Sequence, residues 1–154
     1  MFSSWLNFYR GAGADAEGRT LHQILAWDDE MLESVHDYIQ WLFPLPERSM
    51  FNANAPILTD ADIAAARADA AVQSNLRAAL QRMRQFYGLT PETAYRPKSW
   101  AQASDHNHLR ITRILRSLTH LGMSAEAREL FDDISQFDAE IPERTRQYWR
   151  SAIQ

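Results

Sequence analysis

Arg110, Arg113 and Arg116, together with His106 and His120, recur at helical spacing in a stretch that begins at Asp105. At about 100° per residue, with Arg110 at zero, all five fall between about 240° and 360° on a helical wheel. Leu121, Ile114, Leu118, Ile111 and Leu115 occupy about 20° to 140°, so a basic side faces away from an apolar one. Guanidinium forks match carboxylate and phosphate oxygens in pairs, which makes the basic side a candidate anion-binding face. A solvated helix face, or ion pairing with acidic segments of the chain, would use the same side chains without a ligand.

His36, Gln40 and Trp41 form a second candidate group. Read as one helix with His36 at zero, the run places Leu32, Val35, Ile39 and Leu42 between about 240° and 320° as a core stripe. His36 and Gln40 then sit on its border at about 0° and 40°, and Trp41 lies well away at about 140°. Such a set can line a polar-aromatic pocket, or it can be packed scaffold with its polar tips satisfied. The joint expectation is a cleft in which His36, Gln40 and Trp41 meet His106, Asn107, Arg110 and Arg113. Its occupant would be an anionic small molecule or a peptide. No catalytic residue is assigned. Two alternatives stand beside this binding domain: a small enzyme with His36 or His106 as acid and base, and a nucleic-acid-binding module.

Other chemistry is poorly supplied. The chain has no Cys, which removes disulfide frameworks, thiolate metal sites and cysteine nucleophiles. His106 and His108 point about 200° apart on a helix and cannot chelate together, and no HExxH pattern occurs; neither a metal nor a cofactor is expected. Asp28, Asp29, Glu30, Glu33 and Asp37 read as an acidic helix start favoured by the dipole. Gly11-x-Gly13 follows no strand, so a phosphate loop is unsupported. The Met1–Arg10 segment lacks the basic start and apolar run of a secretion signal, and no stretch approaches the ~20 apolar residues of a membrane span. A cytoplasmic protein is expected.

The elements that must position these groups are helical throughout. The 154 residues carry 16 bases, 20 acids and 45% hydrophobic residues, which fits one folded domain over 1–154. The net charge of −4 conceals a basic middle: residues 63–116 hold nine bases against three acids, residues 1–62 three against ten. Period-3.6 patterns predict helices from Thr20, through Leu32–Leu42, from Thr59 to Tyr87 with a break near Asp69, from Asp105 to Leu121, from a Ser124 cap, and after Pro142. Gly88 and Gly122 fit left-handed helix ends. Ser49–Leu58 and the 15-odd residues after Gly88 read as loops. The expected fold is all-α, an irregular bundle of five to seven helices.

Several blocks together resemble a known family. Asn7-Phe8-Tyr9-Arg10, then Asp15 with Gly18-Arg19, then His36-Asp37-Tyr38-Ile39-Gln40-Trp41-Leu42-Phe43-Pro44 are similar to successive motifs of the opioid growth factor receptor conserved domain. Gln85-Phe86-Tyr87-Gly88 and His106-Asn107-His108-Leu109-Arg110-Ile111-Thr112-Arg113-Ile114-Leu115 resemble two later ones, with His108 standing where the animal pattern has Asn. The resemblance implies a receptor-like binding domain; in animals the family's role is a nuclear-associated receptor for an endogenous opioid peptide. The Arg- and Ala-rich, Lys-poor composition fits a short bacterial member.

Overall fold

Ser3 opens the first helix, its hydroxyl accepting the Leu6 amide and so satisfying one of the donors that a helix start leaves open. In the computed structural model, which describes residues 2–154 and so leaves Met1 of the amino-terminal segment outside, every regular element is a helix. Nine α-helices are present among the described residues, four of them of six residues or fewer. No helix among those residues is long and apolar enough to cross a membrane.

The chain divides into two compact units, Met1–Arg82 and Met83–Gln154. The first holds α1 (Ser4–Tyr9), α2 (Leu21–Leu25), α3 (Asp29–Ser34), α4 (Ile39–Leu42), α5 (Asp60–Ala68) and most of α6 (Ala70–Tyr87). Local chemistry sets these boundaries. Thr20 with Gln23, and Thr59 with Asp62, close reciprocal capping boxes at the starts of α2 and α5. Asp69 leaves the helical region at the end of α5, and its carboxylate accepts the Ala71 and Val72 amides at the start of α6. The core of this unit is aromatic. Trp5, Phe8, Tyr9, Tyr38 and Phe43 are all fully buried. The indole N–H of Trp5 donates to the Trp41 carbonyl at 3.0 Å, and the Tyr9 hydroxyl donates to the Leu42 carbonyl at 2.7 Å. Short α1 is thereby tied to α4, although neither could stand as an isolated helix.

The second unit holds the end of α6, two 3-10 turns (Pro91–Thr93 and Ser99–Ala101), α7 (Asn107–His120), α8 (Ser124–Ser135) and α9 (Glu143–Ala152). α7 packs against both α8 and α9. Its buried residues Ile111, Ile114, Leu115 and Leu118 are those of the apolar side read from the sequence. Gly88 and Gly122 have the positive φ expected of left-handed helix ends. Ser124 is the first residue of α8 rather than its cap: the capping position is Met123, which makes no side-chain bond there.

Candidate functional site

The Leu32–Leu42 run is not one helix. Val35 turns extended (φ −92°, ψ 133°) and ends α3, and helical structure resumes only at Ile39. The break resets the phase of the wheel, and the three candidates of this segment part company. His36 is exposed in the connection. Gln40 is 4% exposed, and its side-chain oxygen accepts from the Asn52 amide at 3.4 Å. Trp41, placed away from the core by the continuous-helix reading, is 6% exposed. Its ring meets Phe8 edge-on at 5.3 Å.

Around them lies a polar clamp. Asp15 accepts the backbone amides of Glu17 and Arg19 through one oxygen and the Arg19 guanidinium through the other, at 2.7 to 3.0 Å. The same guanidinium reaches Asp37 at 2.9 Å and lies over the Trp27 ring. Burial acts to lower the Arg19 pKa, but the hydrogen bonds and charges of Asp15 and Asp37 outweigh it and the net direction is upward. Gly18, at φ +79°, closes the turn that brings Arg19 back to Asp15. The Asp15–Gly18–Arg19 motif is thus a structural knot, closed by its own hydrogen bonds and ion pairs. The Asn52 amide also donates to the Asp37 carbonyl at 3.3 Å, joining the following loop to the same region.

In the second unit, His106 occupies the N-cap of α7, makes no capping bond with its side chain and is exposed. Asn107 is 1% exposed; its side-chain oxygen accepts from the Tyr87 hydroxyl at 3.2 Å and from Arg110 at 3.4 Å. Arg110 itself is 6% exposed, which corrects its placement on an outward basic face. The physical reason is position: Arg110 borders the apolar arc, only about 20° from Leu121 on the wheel. Arg113, Arg116 and His120 are half-buried. His108 is buried, with Nε2 2.7 Å from the Trp100 carbonyl, so that nitrogen carries the proton and donates. Its own carbonyl accepts the Trp149 indole N–H at 3.3 Å, and its ring stands perpendicular to that indole. Trp100 in turn donates to the Tyr87 carbonyl at 2.8 Å.

The structure therefore brings Asn107 to Arg110 and Tyr87, and Gln40 to Asn52. His36, Gln40 and Trp41 belong to the first unit, and His106, Asn107, Arg110 and Arg113 to the second. No group of three or more His, Asp or Glu side chains is gathered as a metal site among the described residues. A shallow, open depression lies on one face of α5, lined by Asp60, Ile63, Ala64, Arg67 and Ala68.

An all-helical chain whose signature residues are tied into buried polar knots defines a domain recognised by its scaffold. Residues 3–135 match the model of the opioid growth factor receptor (OGFr) conserved region, and the chain belongs to that family. It is 35% identical over 133 residues to the opioid growth factor receptor of Mus musculus, covering 77% of this chain and 21% of that protein. The corresponding human protein is 37% identical over 110 residues, 63% of this chain and 16% of its own length. Opioid growth factor receptor-like protein 1 of Mus musculus is 39% identical over 106 residues, 62% of this chain and 22% of its own. The chain thus spans about a fifth of the length of the curated relatives it matches. No solved structure matches it.

Proposed function

We propose that the chain is a non-enzymatic binding domain of the cytoplasm, carried by a bacterial member of the family, and that it recognises a peptide or small molecule through an anionic group. The observation that carries this reading is the family match over residues 3–135, since the relatives' own names make them receptors of an opioid growth factor. The polar side of α7 supports it: His106 is exposed, and Arg113, Arg116 and His120 keep part of their surface in solvent. A guanidinium can hold a carboxylate through two parallel hydrogen bonds. Asn107 and Arg110 act behind that surface as the buried brace of the α7 start, and Gln40 and Trp41 as scaffold of the first unit. None of the candidate residues lines the shallow α5 depression, so the enzyme reading draws no support from it.

Titration calorimetry with short acidic peptides bearing a free C-terminal carboxylate, and with inorganic phosphate, tests the assignment. Arg113→Ala is expected to weaken binding by about tenfold or more, the worth of one charge-assisted pair. Arg113→Lys should recover only part of it, because an ammonium lacks the planar fork. Equal affinity of Arg113→Ala and wild type would remove α7 from the site; no binding by the wild type would remove the anion.

A further inference from the structure

The loop between α4 and α5 is closed at its base and apolar at its tip. Its ends meet at the Leu45–Ile57 bridge, where the Leu58 amide donates to the Leu45 carbonyl at 2.9 Å. Met50 is 91% and Phe51 78% exposed, more than any other large hydrophobic side chain described. Most other exposed side chains of this kind stand singly along the chain, which is ordinary for a protein surface. Here two are adjacent, and both stand clear of the fold.

Two further features fit this tip for leaving water. None of residues 49–59 is ionisable, in a chain of which 23% is charged. The turn also satisfies its own donors. The Ser49 hydroxyl accepts the Phe51 and Asn52 amides, and Asn52 accepts the Asn54 amide through its side chain and the Ala55 amide through its carbonyl. Backbone donors met inside the loop are not stranded when the tip enters an apolar phase. The Asn52 side-chain amide donates in turn to the Asp37 carbonyl and to Gln40, which fixes the turn on its unit.

Charge selects the phase. Arg48 is exposed, forms no ion pair among the described residues and stands two residues before Met50. Two apolar side chains with one guanidinium just behind them match the layering of a phospholipid surface, in which hydrocarbon lies beneath phosphate. Residues 1–62 hold ten acids against three bases, so a bilayer of net negative charge repels this part of the chain. A zwitterionic bilayer offers the same phosphate without that field.

We propose that the Met50–Phe51 tip inserts into the interfacial layer of a zwitterionic phospholipid bilayer, with Arg48 against a headgroup phosphate. Two side chains of this size give a partition coefficient of about 10³ M⁻¹, below the ~10⁴ M⁻¹ of a myristoyl chain and equally reversible.

Co-sedimentation of the full chain with phosphatidylcholine vesicles, with circular dichroism as the control for folding, tests this. At about 2 mM lipid, roughly half of the wild type should sediment. Phe51→Ser and Met50→Ser should each lower the partition coefficient by about tenfold, and Arg48→Glu by about threefold. Adding phosphatidylserine should not strengthen binding. Because the chain has no Cys, Met50→Cys supplies a single site for an environment-sensitive dye, whose emission should move to shorter wavelength on vesicles. No sedimentation with phosphatidylcholine overturns the proposal, and so does binding indifferent to both serine variants. Binding that needs phosphatidylserine and vanishes in about 0.5 M salt is charge adsorption and overturns it too. Self-association abolished by Phe51→Ser, without vesicle binding, would give the tip to a protein partner and overturn the lipid assignment. Arg48→Glu that binds like the wild type overturns the headgroup contact.

Discussion

Tyr9 shows how a single side chain in the family's opening block serves the fold. Its phenol is buried and donates to the Leu42 carbonyl at 2.7 Å. Burial pushes its pKa well above the ordinary 10.0, because an ionised ring would lose its hydration. The folded chain keeps this proton where the unfolded chain releases it near pH 10. The stabilisation is therefore complete below pH 10 and declines as pH rises beyond it, by about 1.4 kcal/mol per pH unit. Tyr9→Phe should lower stability by about 1 kcal/mol at pH 7, through the lost hydrogen bond, and should reduce the alkaline decline. Urea unfolding at pH 7 and near pH 11 measures both; identical alkaline slopes would refute the linkage. Ser117 is the opposite case. It is fully buried on α7 and its hydroxyl has no hydrogen-bond partner. Ser117→Ala removes an orphaned polar atom and improves helix propensity, so a gain of about 1 kcal/mol is expected. A higher urea midpoint at unchanged slope would show it, and a loss would mean that the hydroxyl has a partner in solution.

At the scale of elements, the legible ones were those whose periodicity and caps agree. Thr59 with Asp62, the break at Asp69 and the left-handed glycine after Tyr87 all stand where local chemistry puts them. Two elements were not legible, for a common reason. α1 is six residues long with four of them buried, which leaves no polar face to reveal a period. The Leu32–Leu42 run kept a helical period across a non-helical joint, because spacing of apolar residues says nothing about whether Val35 is extended. The misplacement of Trp41 follows from that joint alone. The end of α6 gives a sharper test. Gly88 has φ +77°, and a Cβ there would lie 2.0 Å from the Arg96 carbonyl oxygen, a backbone atom that cannot swing aside. Gly18 has nearly the same φ, but no atom lies within 4 Å of its Cβ position. Gly18→Ala should therefore bear only the left-handed penalty, about 1 kcal/mol. Gly88→Ala should lose about 3 kcal/mol or more, since the segment around Arg96 must move. Thermal unfolding of the two variants side by side decides it; equal shifts would mean that this segment does not rest on the helix end.

At the scale of the whole molecule, the charge distribution discriminates between the partners that a basic helix could serve. The basic middle of the sequence was legible, but its use was not. Arg82 is paired with Asp29, Arg84 with Asp133 and Arg146 with Glu143, so much of the positive charge is already matched within the fold. The chain as a whole has a net charge of −4, and its partly exposed arginines are spread over several helices, α7 among them. A polyanion must bring every phosphate near the acidic residues as well as the basic ones, and its attraction fades steeply with salt as counterions cease to be released. A short acidic peptide brings one or two charges to one place and leaves the rest of the surface in solvent. The chain should therefore bind such a peptide more tightly than a single-stranded oligonucleotide of about 20 residues at 0.15 M salt. Fluorescence anisotropy with both probes at several salt concentrations is the measurement. Tighter oligonucleotide binding with a slope of several counterions would reverse the assignment, because a net-negative chain can hold a polyanion only through a basic surface larger than α7 provides.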